Sequence, residues 1–428
     1  MVTQKDRHSG FFSKMEIATA GERLRYQNRK LSHLIAYAYE KAPAVRKKLD
    51  KSKLKPGDLT TVKDLEKLPI TEKADLIGLQ KKNPPFGGFN GVPTGELGRI
   101  FVSPGPIYEP GEMVYEDRRW AQALYAGGFR AGDLCQITFN FHLVPFGFML
   151  DSSLRILGCR SIPAGVGNTE LQVRIMKDLK VTGFLGTPSF LFSIVQKAKE
   201  MGMNPQKDLA LKTAFVAAEM LPESLRESLE SELRGLMVRQ SYGTADIGCL
   251  GFECTRKNGM HVPDDCIVEI VDPRTGKQCA PGETGEVVGT CFNKVYPLIR
   301  FGSGDLSYLS DEPCPCGRTS PRLLKIVGRV DQMTKVKGMF IHPGLVDTVA
   351  AKFDEICACR VMVTRDGHQD RMTFQAELDR PCPEPEKLSG AVKKVIQEIL
   401  RVRGEVQFLP KGSLPQGAKK IEDQRVWE

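Results

Sequence analysis

The chain predicts an α/β fold in more than one domain, and three observations carry that prediction. Between positions 133 and 240, short apolar runs alternate with longer amphipathic stretches, the pattern of a mainly parallel sheet covered by helices on both faces. After Asp246 the texture changes to short β runs separated by Pro-Gly and Thr-Gly turns, the pattern of a smaller β subdomain. A length of 428 residues is too great for one core and suggests two or three domains. The expected organisation is a large N-terminal α/β domain over 1–328, with its β subdomain at about 247–328, and a small α+β domain over 329–428.

The elements follow in order. Residues 1–95 read as mostly helical, with Leu24, Leu31, Leu34 and Ile35 near one face of a helix over 23–42, and a Pro-rich loop over 83–94. Runs 134–139, 160–164, 181–185, 213–218 and 236–239 read as strands. Between them fall helices over 144–157, from the cap Asn168 to 179, from the cap Thr187 with Pro188 in its first turn to 200, and over 222–233. Gly243 lets the chain turn sharply after the last strand. Strands over 266–271, 285–291 and 296–301 build the β subdomain. Past 328 come a helix over 344–353 and a hairpin of 360–364 with 372–378 around Asp366-Gly367. A helix over 386–402 then carries Leu388, Val392, Val395, Ile396 and Leu400 on one side, and 405–409 is a last strand.

Bulk properties narrow the function. No apolar run reaches membrane-spanning length, and the charged first residues are not followed by an apolar core, so no membrane and a cytoplasmic location are expected. The net charge of +9 is spread along the chain without aromatic interleaving, which gives no support to nucleic-acid binding. It leaves the protein open to anionic small molecules. Most of the 12 Cys sit in apolar runs and read as small core residues. Cys254-x6-His261 and Cys314-x-Cys316 stand apart in polar loops. Three thiolates and one imidazole make a closed tetrahedral set, so a structural Zn2+ is expected there.

Ligands of α/β proteins sit at the carboxyl ends of strands, which directs attention to 240–246, where a hydroxyl, the Tyr242 phenol and the Asp246 carboxylate follow a strand. Residues 300–305, 328–338 and the pair Lys419 and Lys420 are expected to converge on the same place. Asp305 ends a Gly-x-Gly-Asp run, and an ionised carboxylate accepts two hydrogen bonds from a vicinal diol. Phe141 and His142 follow a strand and precede a helix bearing Phe146 and Phe148. With Val216, Ala217 and Tyr242 they form the candidate wall for an apolar ligand.

The order of the motifs 241–246, 296–305, 314–318 and 328–343 resembles the phenylacetate–CoA ligases, a branch of the adenylate-forming enzymes, over nearly the whole chain. The resemblance implies an acid–thiol ligase. Such an enzyme makes an acyl-adenylate from ATP, Mg2+ and an aryl or arylacetic acid, then passes the acyl group to CoA, with a small mobile C-terminal domain. A homodimer is also implied. Tyr242 and Gly243 would flank the adenine and the acyl group, with Thr244 beside them, Ala245 would stand where a hydroxyl usually touches the α-phosphate, and Asp246 would be the carboxylate on the Mg2+ and phosphate side. Ala217, Ala218 and Glu219 would line the adenine, Asp305 would bind the ribose, and Arg329 and Asp331 would form the hinge motif, with Lys337 on the loop that follows.

Two stretches depart from the family. The phosphate loop, Ser-Ser-Gly-Thr-Thr-Gly-Lys-Pro in the family, is matched here only by Ser103, Gly105 and Pro110. Pro104 and Pro106 each remove an N–H, and Glu109 replaces the cation. The catalytic Lys aligns on Gly417, so Lys419 or Lys420 would serve after a small shift. The alternative these departures raise is a degenerate relative that binds AMP, an acyl-adenylate or an acyl-CoA without ATP-dependent activation.

Overall fold

The computed structural model describes residues 6–103, 105–112, 117–273, 275–326, 328–330, 334–337, 339–341, 343–367, 369–380, 382–415 and 419–425. Two compact units emerge: Met1–Ala217 with Ser228–Val330, and Ala218–Glu227 with Asp331–Glu428.

Among the described residues, the spine of the first unit is a nine-stranded sheet. Its spatial order is Leu309–Ser310, Arg322–Leu323, Met260–His261, Gly248–Glu253, Met237–Thr244, Thr213–Val216, Gly183–Gly186, Leu134–Ile137, Arg160–Pro163. The five strands from Met237–Thr244 to Arg160–Pro163 run parallel. The others pair antiparallel. Met237–Thr244 is the seam. Residues 237–240 pair parallel with 213–216, whereas 241–244 pair antiparallel across to 248–252. Gly183–Gly186 and Thr213–Val216 are buried at every position, as parallel strands covered on both faces must be. The helix Pro188–Glu200 starts as expected, with the Thr187 hydroxyl accepting from Phe190 N–H and Pro188 in the first turn.

Four expectations are corrected here. Asn168 adopts a left-handed backbone (φ 47°), not the extended one a capping residue ordinarily takes, and makes no side-chain cap. Leu24 is 45% exposed, off the buried face formed by Leu31, Leu34 and Ile35. Gly243 does not turn the chain. The strand continues through it, and the turn follows at 245–247. A Cβ on Gly243 would lie 2.4 Å from the Gly248 carbonyl oxygen, so glycine is required by close backbone approach. Finally, the strand expected at 296–301 lies at Phe301–Ser307. Pro297 has no ladder donor, and the chain before Phe301 is irregular.

A second sheet in this unit orders Thr71–Glu72, Phe301–Ser307, Gly285–Cys291 and Cys266–Val271, with Gly328–Arg329 also paired to Phe301–Ser307. The N-terminal helices Ala20–Lys41 and Pro43–Lys51 share its core, in which Leu31, Ile35 and Leu49 join Ile267, Val287 and Phe301. A hairpin of Arg99–Ser103 and Ile107–Gly111 stands apart from both sheets.

The second unit has its own core. Its sheet orders Glu405–Pro410, Gln369–Leu378, Ile356–Asp366 and Ile421–Asp423. The long hairpin turns at Gly367, whose φ of +56° suits glycine. The helix Pro385–Ile399 lays Leu388, Val392 and Ile396 against Val361, Val363 and Phe374. Among the described residues, no helix of either unit is long and apolar enough to cross a membrane.

Candidate active site and metal centre

The Met237–Thr244 strand carries Tyr242 towards the end of Phe301–Ser307. The phenol oxygen lies 2.9 Å from Asp305 Oδ2 and 3.0 Å from Ser303 Oγ. Arg329 sits directly opposite Asp305 in the ladder, and its guanidinium donates to Asp305 Oδ1 at 2.5 Å. Burial, followed by the Asp305 charge, pushes the Tyr242 phenol well above its ordinary value, so it remains a donor. Asp305 is therefore held from two sides, and its remaining lone pairs can take further donors.

Asp246 lies in the turn after the same strand. Its side chain is fully buried, and Lys73 Nζ, at the start of helix Lys73–Lys82, lies 2.7 Å from Oδ2. Glu109 enters from the Ile107–Gly111 strand and is 4% exposed. Burial, then the negative charge of Asp246, pushes the Glu109 carboxyl up to about 8. Burial alone would lower the Lys73 ammonium, but the charges of Asp246 and Glu109 outweigh it and raise it. Glu109, Ala245, Asp246, Phe101, Met149 and Tyr296 line one cleft, with an open volume of about 30 Å3. That is the scale of bound water.

The turn bearing Asp246 is clamped by Arg119. This buried guanidinium donates to the Ile247 carbonyl at 2.6 Å, pairs with Asp117 at 2.8 Å and lies 2.5 Å from Cys291 Sγ. Arg119, Lys73 and Tyr296 were missed by sequence reasoning. The one legible trace was Asp117, whose side chain caps the helix Arg118–Ala126.

The other expected residues are distributed as follows. Ser103 is buried and Gly105 is exposed. Thr244 Oγ1 accepts from Ile247 N–H at 3.3 Å, bracing the Asp246 turn. Val216 and Ala217 are buried at the end of the Thr213–Val216 strand. Ala218 takes a left-handed backbone at φ 72°, and Glu219 is half-buried. Phe141 packs edge-on against Phe148, with centroids 5.2 Å apart, while His142 is exposed. Further rings extend this wall: Phe101 to Phe148 at 5.6 Å, Phe139 to Phe146 at 4.4 Å and Phe146 to Trp120 at 5.0 Å. In the second unit Lys337 and Lys419 are exposed, and Lys420 pairs with Asp347 at 2.7 Å. Asp331, the expected hinge, lies outside the described residues.

The Cys/His set converges. The ligand atoms of Cys254, His261, Cys314 and Cys316 all lie within 4.8 Å of one another. Cys254 Sγ is 3.8 Å from Cys314 Sγ, and Cys316 Sγ is 3.4 Å from His261 Nε2. A tetrahedral zinc with Zn–S of about 2.3 Å would set its thiolates about 3.8 Å apart, so the residues fit that ion. His261 Nδ1 lies 3.2 Å from Ser320 Oγ, which orients the ring. The Arg256 and Arg318 N–H groups each point to a thiol sulfur at 3.4 Å.

The chain is similar to known proteins over most of its length. The family model described as AMP-binding enzyme matches residues 141–290, and the AMP-binding enzyme C-terminal domain matches 338–427. The phenylacetate-coenzyme A ligase of Thermus thermophilus is 31% identical over 374 residues, covering 84% of this chain and 82% of the relative. That of Aromatoleum evansii is 30% identical over 406 residues, covering 91% and 90%. A crystal structure of 2-hydroxyisobutyryl-CoA ligase in complex with 2-HIB-AMP and CoA superposes with a TM-score of 0.87 at 25% identity, covering 96% of this chain and 92% of that one.

Proposed function

This chain belongs to the AMP-binding enzyme family, beside the phenylacetate–coenzyme A ligases, and from that premise we propose that it is an acid–thiol ligase. A carboxylate attacks the α-phosphorus of ATP to give an acyl-adenylate and pyrophosphate. The thiol of CoA then takes the acyl group and releases AMP. The observation that carries this reading is Asp305, fixed by Tyr242 and Arg329 with acceptor capacity left for a ribose diol.

Asp246 is the residue to hold Mg2+, which when bound offsets charge on the phosphates. Ser103, Gly105, Ala217, Ala218, Glu219, Gly243 and Thr244 complete the nucleotide side. Lys419 or Lys420 neutralises charge at the α-phosphate, and the domain from 329 to 428 swings about Asp331 between the two half-reactions. The aromatic wall of Phe101, Phe141, Phe146 and Phe148, with Val216 and His142 near it in sequence or fold, favours an aryl or arylacetic acid. Structural Zn2+ at the Cys254, His261, Cys314 and Cys316 set pins the loops of the β subdomain. A cytoplasmic homodimer acting on small molecules, without nucleic acid or membrane, completes the reading.

The test is pyrophosphate release from ATP and Mg2+ with a panel of aryl, arylacetic and short hydroxy acids, with and without CoA. The expected result is acid-dependent pyrophosphate and an aromatic acyl-CoA. Tight AMP binding with no pyrophosphate from any acid overturns the ligase reading in favour of a binding protein, as Glu109 in the phosphate loop would suit.

A further inference from the structure

We propose that Glu109 and Asp246 together hold a divalent cation, so that this chain's altered phosphate loop binds the metal that accompanies the phosphates. The inference rests on the ligase reading only for the cation's role. The site itself is argued from geometry.

Both side chains face the same small cleft. The Glu109 side chain comes from the Ile107–Gly111 strand, and the fully buried Asp246 side chain from the turn after Met237–Thr244. Glu109 Oε1, Asp246 Oδ1 and Ser103 Oγ, at the end of the neighbouring strand, are buried with no backbone or cationic donor, and the Glu109 carboxyl instead meets Ser103 and the Asp246 carboxyl. A buried carboxylate oxygen without a cation is costly; burial and the Asp246 charge therefore hold a proton on Glu109 up to about pH 8, and a divalent cation would take that proton's place. Lys73 meets the opposite oxygen of Asp246, Oδ2, leaving Oδ1 without a cationic donor. Arg119 also borders the cleft, but its guanidinium is committed to Asp117 and the Ile247 carbonyl.

With that proton displaced, one ammonium faces two carboxylates. A hard divalent cation takes carboxylate oxygens at about 2.0–2.1 Å and keeps several waters. A volume of about 30 Å3 suits an ion with a water, far better than an organic group. Lys73 then acts as an internal stand-in that competes for Asp246 until the cation arrives. The phosphate loop loses its own cation in sequence and regains one by coordination.

The experiment is equilibrium binding of Mn2+ alone, without nucleotide, to the full-length zinc-loaded protein, read from the paramagnetic signal of free Mn2+. Wild type should bind one Mn2+ per chain. Glu109→Gln and Asp246→Asn should each weaken it by about tenfold or more, while Glu109→Asp, which keeps the charge, should retain it. Lys73→Met, removing the competitor, should tighten it. Binding by Glu109→Gln at wild-type affinity, or no binding by wild type, overturns the proposal. If Glu109→Gln does not fold, the opposing responses of Lys73→Met and Asp246→Asn decide it, and a Lys73→Met affinity equal to wild type then counts against it. The two readings fail separately. A wild type that makes no pyrophosphate yet binds Mn2+ through both carboxylates sinks the ligase reading alone. An active wild type whose Glu109→Gln variant binds Mn2+ unchanged sinks this one alone.

Discussion

Around Asp305, each carboxylate oxygen already has a donor: Tyr242 on one and Arg329 on the other. Around Asp246, one oxygen meets Lys73 and the other meets no backbone or cationic donor, with Glu109 bordering the same cleft. On the proposed reading, in which Asp305 takes the ribose and Asp246 the phosphate side, the first has its donors before a ligand arrives and the second is completed by one. Donors fixed in advance cost no reorganisation when the ligand binds. A buried site that is short of positive charge gains most from a charged ligand, so the two halves should answer differently to substitution.

The largest effect is expected at Asp246. Asp246→Asn should lower acid-dependent pyrophosphate release by about 10²- to 10³-fold, with AMP affinity by calorimetry nearly unchanged. Loss of AMP affinity to the same degree would break the division into two sides. Cys316→Ser lies outside both. It should remove zinc and lower the unfolding temperature by several degrees without favouring either half-reaction, and full zinc stoichiometry in that variant would refute the metal centre. Asp305→Ala should weaken AMP and ATP alike, by about 10- to 100-fold, as expected for lost hydrogen bonds to a charged group. Tyr242→Phe removes one donor to Asp305 and should cost about 1 kcal/mol of AMP affinity. The smallest effect concerns the strand end that carries Asp305, through Glu286, which accepts from Gly304 N–H at 2.9 Å. Burial, then the Glu72 charge, raises its carboxyl to about 7 from 4.5. Its stabilising contribution is therefore complete below pH 4.5 and lost as pH rises through about 7. Glu286→Gln should flatten stability across that window in denaturant titrations at stepped pH.

Legibility in the sequence followed the same divide. Strand and helix alternation up to the seam was readable because parallel strands buried on both faces are continuous apolar runs, as in Thr213–Val216. The cluster of Tyr242, Asp305 and Arg329 was readable because the three sit in compact motifs with special backbone needs, and the Cys254 and Cys316 pairs because thiols in polar loops have few other uses. Around Asp246 the acids Asp246 and Glu109 stood in readable motifs, but their basic neighbours did not. Lys73 lies 173 positions from Asp246, and Arg119 reaches Ile247 across 128, with no local pattern to announce either. The misplaced 296–301 strand failed for a different reason. Pro297 was absorbed into an apolar run whose pairing begins only at Phe301.

The seam strand carries one more implication. Consecutive side chains on Met237–Thr244 point to opposite faces as far as Tyr242, where the ladder shifts register, so a single inserted or deleted residue ahead of Ser241 would exchange the faces of Ser241 and Tyr242. The phenol would then leave the carboxylate it steadies, and the turn holding Asp246 would shift with it. Chemistry here has a reading frame, and evolution can lengthen the surrounding loops freely but cannot change the count along this one ribbon.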